Sequence, residues 1–274
     1  MWLRDVVRRS MNALSIVSEK TRVAPEIWTP NLSALEIDLT YNCGFGCNNC
    51  NRMTVVAPGT PDTDITLPQM EKMIRESIDL DWQWKSWRLL GGEPTTHPQF
   101  FEILRMITDY RSRHRKKLVV GLATHGAGNK TKEALERIRV EFPYIRVQNT
   151  KKTTKVHLDF DAVNIAPRDL DPDWAATHKY NGCWIPKFCG IGFNYSGFYC
   201  CAVAGAIDRV CGDNLSITSL HNLTTEGLIA QYQPLCAMCG HYRPIKGSAE
   251  HLQSHSWKTA LQVYEDHKPQ LKRY

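Results

Sequence analysis

The chain has 274 residues, 42% of them hydrophobic and 23% charged, with a net charge of +6. That size and apolar content suffice for one large domain, or one domain with a small appendage, and exclude a disordered chain. No stretch approaches the ~18 consecutive apolar residues of a membrane span, and the first residues lack the apolar core and cleavage site of a secretory signal, so the expected location is the cytosol.

Residues 1–33 open with helical apolar spacing (Trp2, Val6, Val7, Leu14, Val17), broken by Pro25 and Pro30, and read as a leader helix and linker. Ala34-Leu-Glu-Ile-Asp-Leu-Thr40 alternates as a strand and runs directly into Cys43-Gly-Phe-Gly-Cys47-Asn-Asn-Cys50. Thr66 before Leu67-Pro68 is a helix-start signal, with Met70, Met73, Ile74 and Ile78 as the apolar stripe. A strand at Trp87–Leu90, a helix over about 98–114, a strand over 118–123 and a helix over about 131–142 follow. Strands near 145–148 and at Val163–Ala166 continue the alternation. Short connections between alternating strands and helices predict parallel βα units that close fully or partly as a barrel. The basic run Arg111-Ser-Arg-His-Arg-Lys-Lys117 reads as a solvated helix end, since cations there complement the helix dipole, in preference to a nucleic-acid contact. Beyond about residue 175 the pattern changes. Glycine, aromatic residues and cysteines crowd 181–212, which predicts short strands or loops built around a metal rather than around a deep apolar core. Trp257, Leu261 and Tyr264 then mark a closing amphipathic helix. The layout is a leader over 1–33, a barrel unit over 34–170, a cysteine-rich unit over 171–245 and a terminal helix over 246–274.

Ten cysteines in a reducing compartment point to metal rather than to disulfides, and their distribution implies two sites: Cys43, Cys47 and Cys50, then seven between Cys183 and Cys239. Soft thiolates select zinc or iron-sulfur centres. Three ligands in one loop leave one corner of a cubane cluster open to an exogenous ligand, whereas a structural zinc site is closed by four. Gly91-Gly-Glu-Pro94 ends the second strand, and by itself it would be an ordinary strand-to-helix turn.

Taken together, Cys-x3-Cys-x2-Cys after the first strand and Gly-Gly-Glu-Pro after the second resemble the signature of the radical S-adenosylmethionine (SAM) superfamily. The resemblance implies an α/β fold, a partial (β/α)6-type TIM barrel with a small cysteine-rich C-terminal subdomain. By the same resemblance Cys43, Cys47 and Cys50 hold a 4Fe-4S cluster whose fourth iron binds SAM, and Gly91, Gly92 and Glu93 lie near the SAM amino group. Thr124 and His125 stand where relatives carry Thr-Asn-Gly near the SAM ribose, and Asn49 stands where relatives place an aromatic residue near the adenine. The implied reaction is reductive cleavage of SAM to a 5′-deoxyadenosyl radical that takes a substrate hydrogen, with flavodoxin or ferredoxin as external low-potential electron donor.

The C-terminal cysteines resemble the auxiliary-cluster extension of this superfamily in its short twitch form, the longer SPASM form having further cysteines. One auxiliary 4Fe-4S cluster is implied, with zinc as the alternative occupant. The best ligand set is Cys183, Cys201, Cys236 and Cys239, with Cys189 and Cys200 as substitutes. Adjacent cysteines in a strand face opposite ways, so one of Cys200 and Cys201 is spare. Cys211 reads as a small buried hydrophobe, or as a thiol returning a hydrogen atom to a substrate radical. Tyr180, Trp184 and Phe188 are expected against the auxiliary site.

His157, Asp159, Asp161, Asn164 and Arg168 lie in or beside the fifth expected strand, where a substrate would meet SAM, and form the candidate catalytic and substrate-binding set. Three functions remain open at this point. The first is oxidation of a small sugar- or cyclitol-like molecule, with the auxiliary cluster as electron acceptor. The second is modification of a peptide, and the third is a zinc scaffold without catalysis, in which Gly91–Pro94 has no purpose. An RNA-modifying enzyme rests on the basic charge alone.

Overall fold

The computed structural model describes residues 29–156, 161–170, 183–242 and 251–274. The expected leader helix, His157, Asp159 and Tyr180 lie outside these residues.

Strand β1 (Ala34–Thr40) is buried along its whole length. Leu35, Ile37 and Leu39 face the helical layer, and Glu36, Asp38 and Thr40 face the other side of the sheet, as strict alternation requires. Helix α1 (Leu67–Asp79) starts at a reciprocal cap: Thr66 Oγ1 accepts from the Gln69 amide at 3.4 Å, and the Gln69 side chain accepts from the Thr66 amide at 2.9 Å. The buried face differs from the expected stripe. Met70 and Met73 are inside, but Ile78 is 38% exposed while Glu76 and Ser77 are buried. The turn comes from Glu76, whose carboxylate accepts from the Leu220 amide at 2.6 Å and the Tyr274 hydroxyl at 2.7 Å, bonds that a hydrophobic count cannot register.

Two more βα units and a further strand follow: β2 (Ser86–Gly91), α2 (Phe100–Arg113), β3 (Val119–Thr124), α3 (Asn129–Glu141) and β4 (Arg146–Asn149). Trp87 and Tyr110 stack at 4.9 Å where β2 meets α2, and the inner face of α2 (Ile103, Leu104, Ile107) is buried against the sheet. In the basic run, Arg111 donates to the Leu118 carbonyl, and Arg115 pairs with Asp81 at 2.6 Å and donates to the Trp82 carbonyl. These two guanidinium groups therefore tie down the helix end.

Among the described residues the sheet has six strands in the order β4-β3-β2-β1-β5-β6, all parallel except β6, and it does not close. It is a partial barrel of the expected class. The fifth parallel strand is not the expected one. Val163–Ala166 forms a buried turn leading into a short helix, α4 (Pro167–Leu170), because Pro167 supplies no ladder donor and the Val163 carbonyl is taken by the Gly240 amide at 2.9 Å. After α5 (Trp184–Phe188), β5 (Ile191–Asn194) takes the free side of β1, and β6 (Gly197–Tyr199) returns as a hairpin.

The cysteine-rich segment is thus no loose metal loop. Helix α6 (Ala202–Cys211) is buried from Ala202 to Val210, and its small residues let it lie directly on β5. A side chain at Gly192 would run into the backbone of Cys201 and Ala202. Short helices α7 (Thr225–Ala230) and α8 (Tyr232–Cys236) complete this half. The closing amphipathic helix, α9 (His255–Asp266), buries Trp257, Leu261 and Tyr264 as its spacing predicts. Among the described residues no helix is long and apolar enough to cross a membrane.

Candidate active site and cysteine centres

The cysteine loop leaves the C-terminal end of β1 and curls over the polar face of the sheet. Phe45 and Gly46 amides point at Cys43 Sγ, and the Thr54 hydroxyl lies 3.4 Å from Cys50 Sγ. Lys152, beyond β4, brings its Nζ to 3.4 Å from Cys47 Sγ. Burial pushes the Cys43 and Cys47 thiols up. Sulfurs that receive N–H and O–H groups while bordering a cleft suit ligands to a cluster with one open side. Among the described residues no three His, Cys, Asp or Glu side chains stand close enough to share a single metal ion. A cubane needs no such convergence, since each thiolate binds its own iron.

Gly91 and Gly92 meet this loop at close quarters. Gly91 has φ +130°, and a Cβ there would strike the Thr40 carbonyl oxygen; at Gly92 it would strike that of Asn42. Backbone bonds from the Gly92 amide to Thr40 O (2.7 Å) and from the Glu93 amide to Asn42 O (2.9 Å) lock the two turns together. Only glycine fits that approach.

Glu93 turns inward. It is 0% exposed, and its carboxylate accepts from the Thr124 hydroxyl and the His125 amide (both 2.9 Å) and from the Thr95 hydroxyl (2.8 Å). Its role in this arrangement is to hold the end of β3, and the surfaces offered to a ligand are Gly91, Gly92, Thr124 and His125. The His125 ring lies against Phe45 with centroids 5.3 Å apart, and its Nε2 is 3.4 Å from Glu93. Burial holds the His125 pKa down despite that carboxylate. Asn49 sits in the left-handed region (φ 55°), and its amide donates to His251 Nδ1 at 3.1 Å, which anchors the loop between Cys47 and Cys50.

These groups border a cleft of about 340 Å³ that also touches Glu36, Arg52, Arg88, Asp161, Trp184, Cys189 and His241. Its floor is an ion cluster. Arg52 bonds Asp38 at 2.9 Å and Glu36 at 3.2 Å, while Arg88 reaches Glu36 at 2.9 Å and Gln148 at 2.9 Å. The two guanidinium groups offset the two carboxylates, so the buried charges are paired. Burial still pushes the Asp38 carboxyl up, against the pull of Arg52.

The second group lies behind this floor. Cys183, Cys201, Cys236 and Cys239 each feel the others electrostatically, in every one of the six pairings. Burial pushes Cys183 and Cys236 far up and Cys239 to about 12. Cys201 moves the other way, because the Cys200 thiol and the Ala204 amide at the start of α6 both donate to it. Backbone amides also point at Cys183 (from Ile185) and at Cys239 (from His241 and Tyr242). A set of four clustered sulfurs, three of them already receiving N–H groups, fits a polynuclear cationic centre, whose positive charge would draw off the protons that burial retains. Cys200 is buried beside this group as a donor to Cys201. Cys189 lines the cleft instead, with its thiol pushed up to about 12, mainly by burial. Cys211 lies at the far end of α6 and does not border the cleft.

Of the expected catalytic set, His157 and Asp159 lie outside the described residues, and Asp161 borders the cleft. Arg168 does not. It is exposed, and its Nε donates to Ser256 Oγ at 3.0 Å, because the turn at Val163–Ala166 carries the chain away from the sheet. Asn164 is fully buried beneath that turn, and its carbonyl accepts from the Ser254 amide. Trp184 and Phe188 flank the segment between Cys183 and Cys189, but Phe188 is 61% exposed and so does not pack into a metal site. Sequence reasoning missed His241, whose Nδ1 lies 2.7 Å from Asp161 Oδ2 in the cleft wall. The signal was its position two residues after Cys239. It also missed the Glu36–Arg52–Arg88 floor, although three charged residues in or beside barrel strands were visible.

No protein-family profile and no curated protein matches the sequence. Among solved structures, the chain is similar to BtrN in complex with AdoMet and 2-DOIA, at 10% identity and a TM-score of 0.45, over 82% of this chain and 98% of that one. It is also similar to the selenomethionine form of BtrN in an open conformation, at 10% identity and a TM-score of 0.41, over 76% of this chain and 85% of that one.

Proposed function

We propose that this chain is a radical SAM enzyme that oxidises a hydroxyl-bearing small molecule, such as a sugar or cyclitol, with one auxiliary 4Fe-4S cluster as electron acceptor. The observation that carries the reading is the convergence of three cleft-lining thiols, the Gly91-Gly92 turn and the Thr124-His125 edge on one cleft, with four clustered thiols behind its floor. Cys43, Cys47 and Cys50 would hold the first cluster with SAM at its open side, and Cys183, Cys201, Cys236 and Cys239 the second. The chemistry that cluster and SAM supply together is cleavage of the SAM carbon–sulfur bond and removal of a hydrogen atom from the substrate. The chain's own residues do the rest. Gly91 and Gly92 expose backbone to the ligand, Glu93 fixes the Thr124-His125 edge, and Phe45 and His125 form a wall against water. Arg52 and Arg88 hold Glu36 in place on the floor, so that the cleft offers directed hydrogen bonds rather than loose charge.

The test is anaerobic reconstitution with iron and sulfide, followed by metal analysis and an assay of 5′-deoxyadenosine release under a strong reductant. About eight irons per chain and SAM cleavage are expected, falling to about four irons and no cleavage when Cys43, Cys47 and Cys50 are all replaced by Ala. Zinc in both sites with intact SAM contradicts the proposal.

A further inference from the structure

Resting on that reading, we infer that His241, held by Asp161, is the residue that binds the hydroxyl group of the substrate. His241 Nδ1 and Asp161 Oδ2 are 2.7 Å apart, and a carboxylate oxygen only accepts, so Nδ1 carries the ring proton. In the neutral ring the lone pair then sits on Nε2. Among the described residues the Asn51 side-chain nitrogen lies 3.5 Å from Nε2, and Asn51 is oriented by Arg52, whose Nη1 donates to Asn51 Oδ1 at 3.1 Å. The Asn51 nitrogen therefore faces Nε2 as a donor, at a separation that leaves the lone pair weakly engaged. A substrate hydroxyl at ordinary hydrogen-bond distance displaces it readily.

Position makes the pair specific. Both side chains border the cleft, 13% exposed for His241 and 30% for Asp161, so the pair is sheltered and still reachable. The cleft also touches Glu36 and Arg88 on its floor and Trp184 and Ile185 on its apolar side. A flat apolar wall with directed polar groups around it suits a ring bearing several hydroxyls. His241 also joins the two centres: its backbone amide donates to Cys239 Sγ while its ring faces the cleft. That bond uses the backbone, so a side-chain substitution at 241 leaves it in place.

Asp161→Asn tests the tautomer directly. An amide NH2 facing Nδ1 moves the ring proton to Nε2, which then donates and can no longer accept. Reconstituted protein with SAM present is titrated calorimetrically with three probes: myo-inositol, glucose and glucosamine. At least one probe is expected to bind the parent and to bind Asp161→Asn and His241→Ala about tenfold more weakly, the worth of one buried hydrogen bond. Iron content and SAM affinity are expected at the parent's level in both variants. Equal probe binding in parent and variants overturns the inference, as does the absence of binding by all three probes. Loss of iron together with probe binding assigns the pair a structural role and also overturns it. Failure of the parent to bind SAM at all counts against the enzyme reading instead, and so separates the two claims.

Discussion

The two cysteine groups differ in whether they border the cleft: Cys43, Cys47 and Cys50 do, and Cys183, Cys201, Cys236 and Cys239 do not. The first three line the cleft together, with Lys152, Phe45 and His125 beside them. Cys183, Cys201, Cys236 and Cys239 are enclosed by α5, α6 and α8, and their thiols are surrounded by one another. The same ligand atom therefore serves two ends. An open group of three can bind a further molecule, whereas a closed group of four organises the chain that surrounds it.

The largest effect expected from this contrast is in activity. Replacing Cys43, Cys47 and Cys50 together by Ala abolishes 5′-deoxyadenosine release while the melting temperature of the reconstituted protein moves little, because the loop lies over the sheet and adds little to its core. Replacing Cys236 and Cys239 by Ser does the opposite to stability. Binding at a closed, buried site is folding free energy, so a loss of about 4 kcal/mol, roughly 10 °C in Tm, is expected by calorimetry. Equal shifts for the two sets would remove the distinction between an open site and a closed one.

A smaller effect separates the cleft's backbone from its metal. Gly91→Ala puts a methyl group against the Thr40 carbonyl at a positive φ, and a loss on the order of 3 kcal/mol in chemical denaturation is expected without any change in ligands. The smallest effect is acid sensitivity. His97 is buried, with Nε2 2.8 Å from the Ile65 carbonyl, and burial lowers its pKa from the ordinary 6.5. The unfolded chain then takes up a proton near 6.5 that the folded chain refuses, so stability is full above that pH and falls below it. His97→Gln is expected to flatten that part of the denaturation profile, and an unchanged profile would move the acid response elsewhere.

The elements that the sequence made legible are those whose signals are local. Thr66-Leu67-Pro68 carries its own cap, and the strands before Cys43 and Gly91 alternate cleanly. The Gly91-Gly92 approach to Thr40 and Asn42 is what makes those two glycines a readable motif. The parts that were not legible depend on distant partners. Ile78 lost its buried place because Glu76 binds Leu220 and Tyr274, far away in the chain. Val163–Ala166 has the composition of a strand, but its Val163 carbonyl is claimed by Gly240 and β1's open side by β5. The pairing of Asp161 with His241 spans eighty residues, and nothing in either neighbourhood announces it.

The most direct test of the two-centre account is electron paramagnetic resonance of the reduced, reconstituted protein with and without SAM, in the parent and in the Cys43/Cys47/Cys50→Ala variant. The account predicts two cluster signals in the parent, of which one shifts when SAM is added and is missing from the variant, while the other ignores both changes. A single signal that persists in the variant and does not respond to SAM would contradict it.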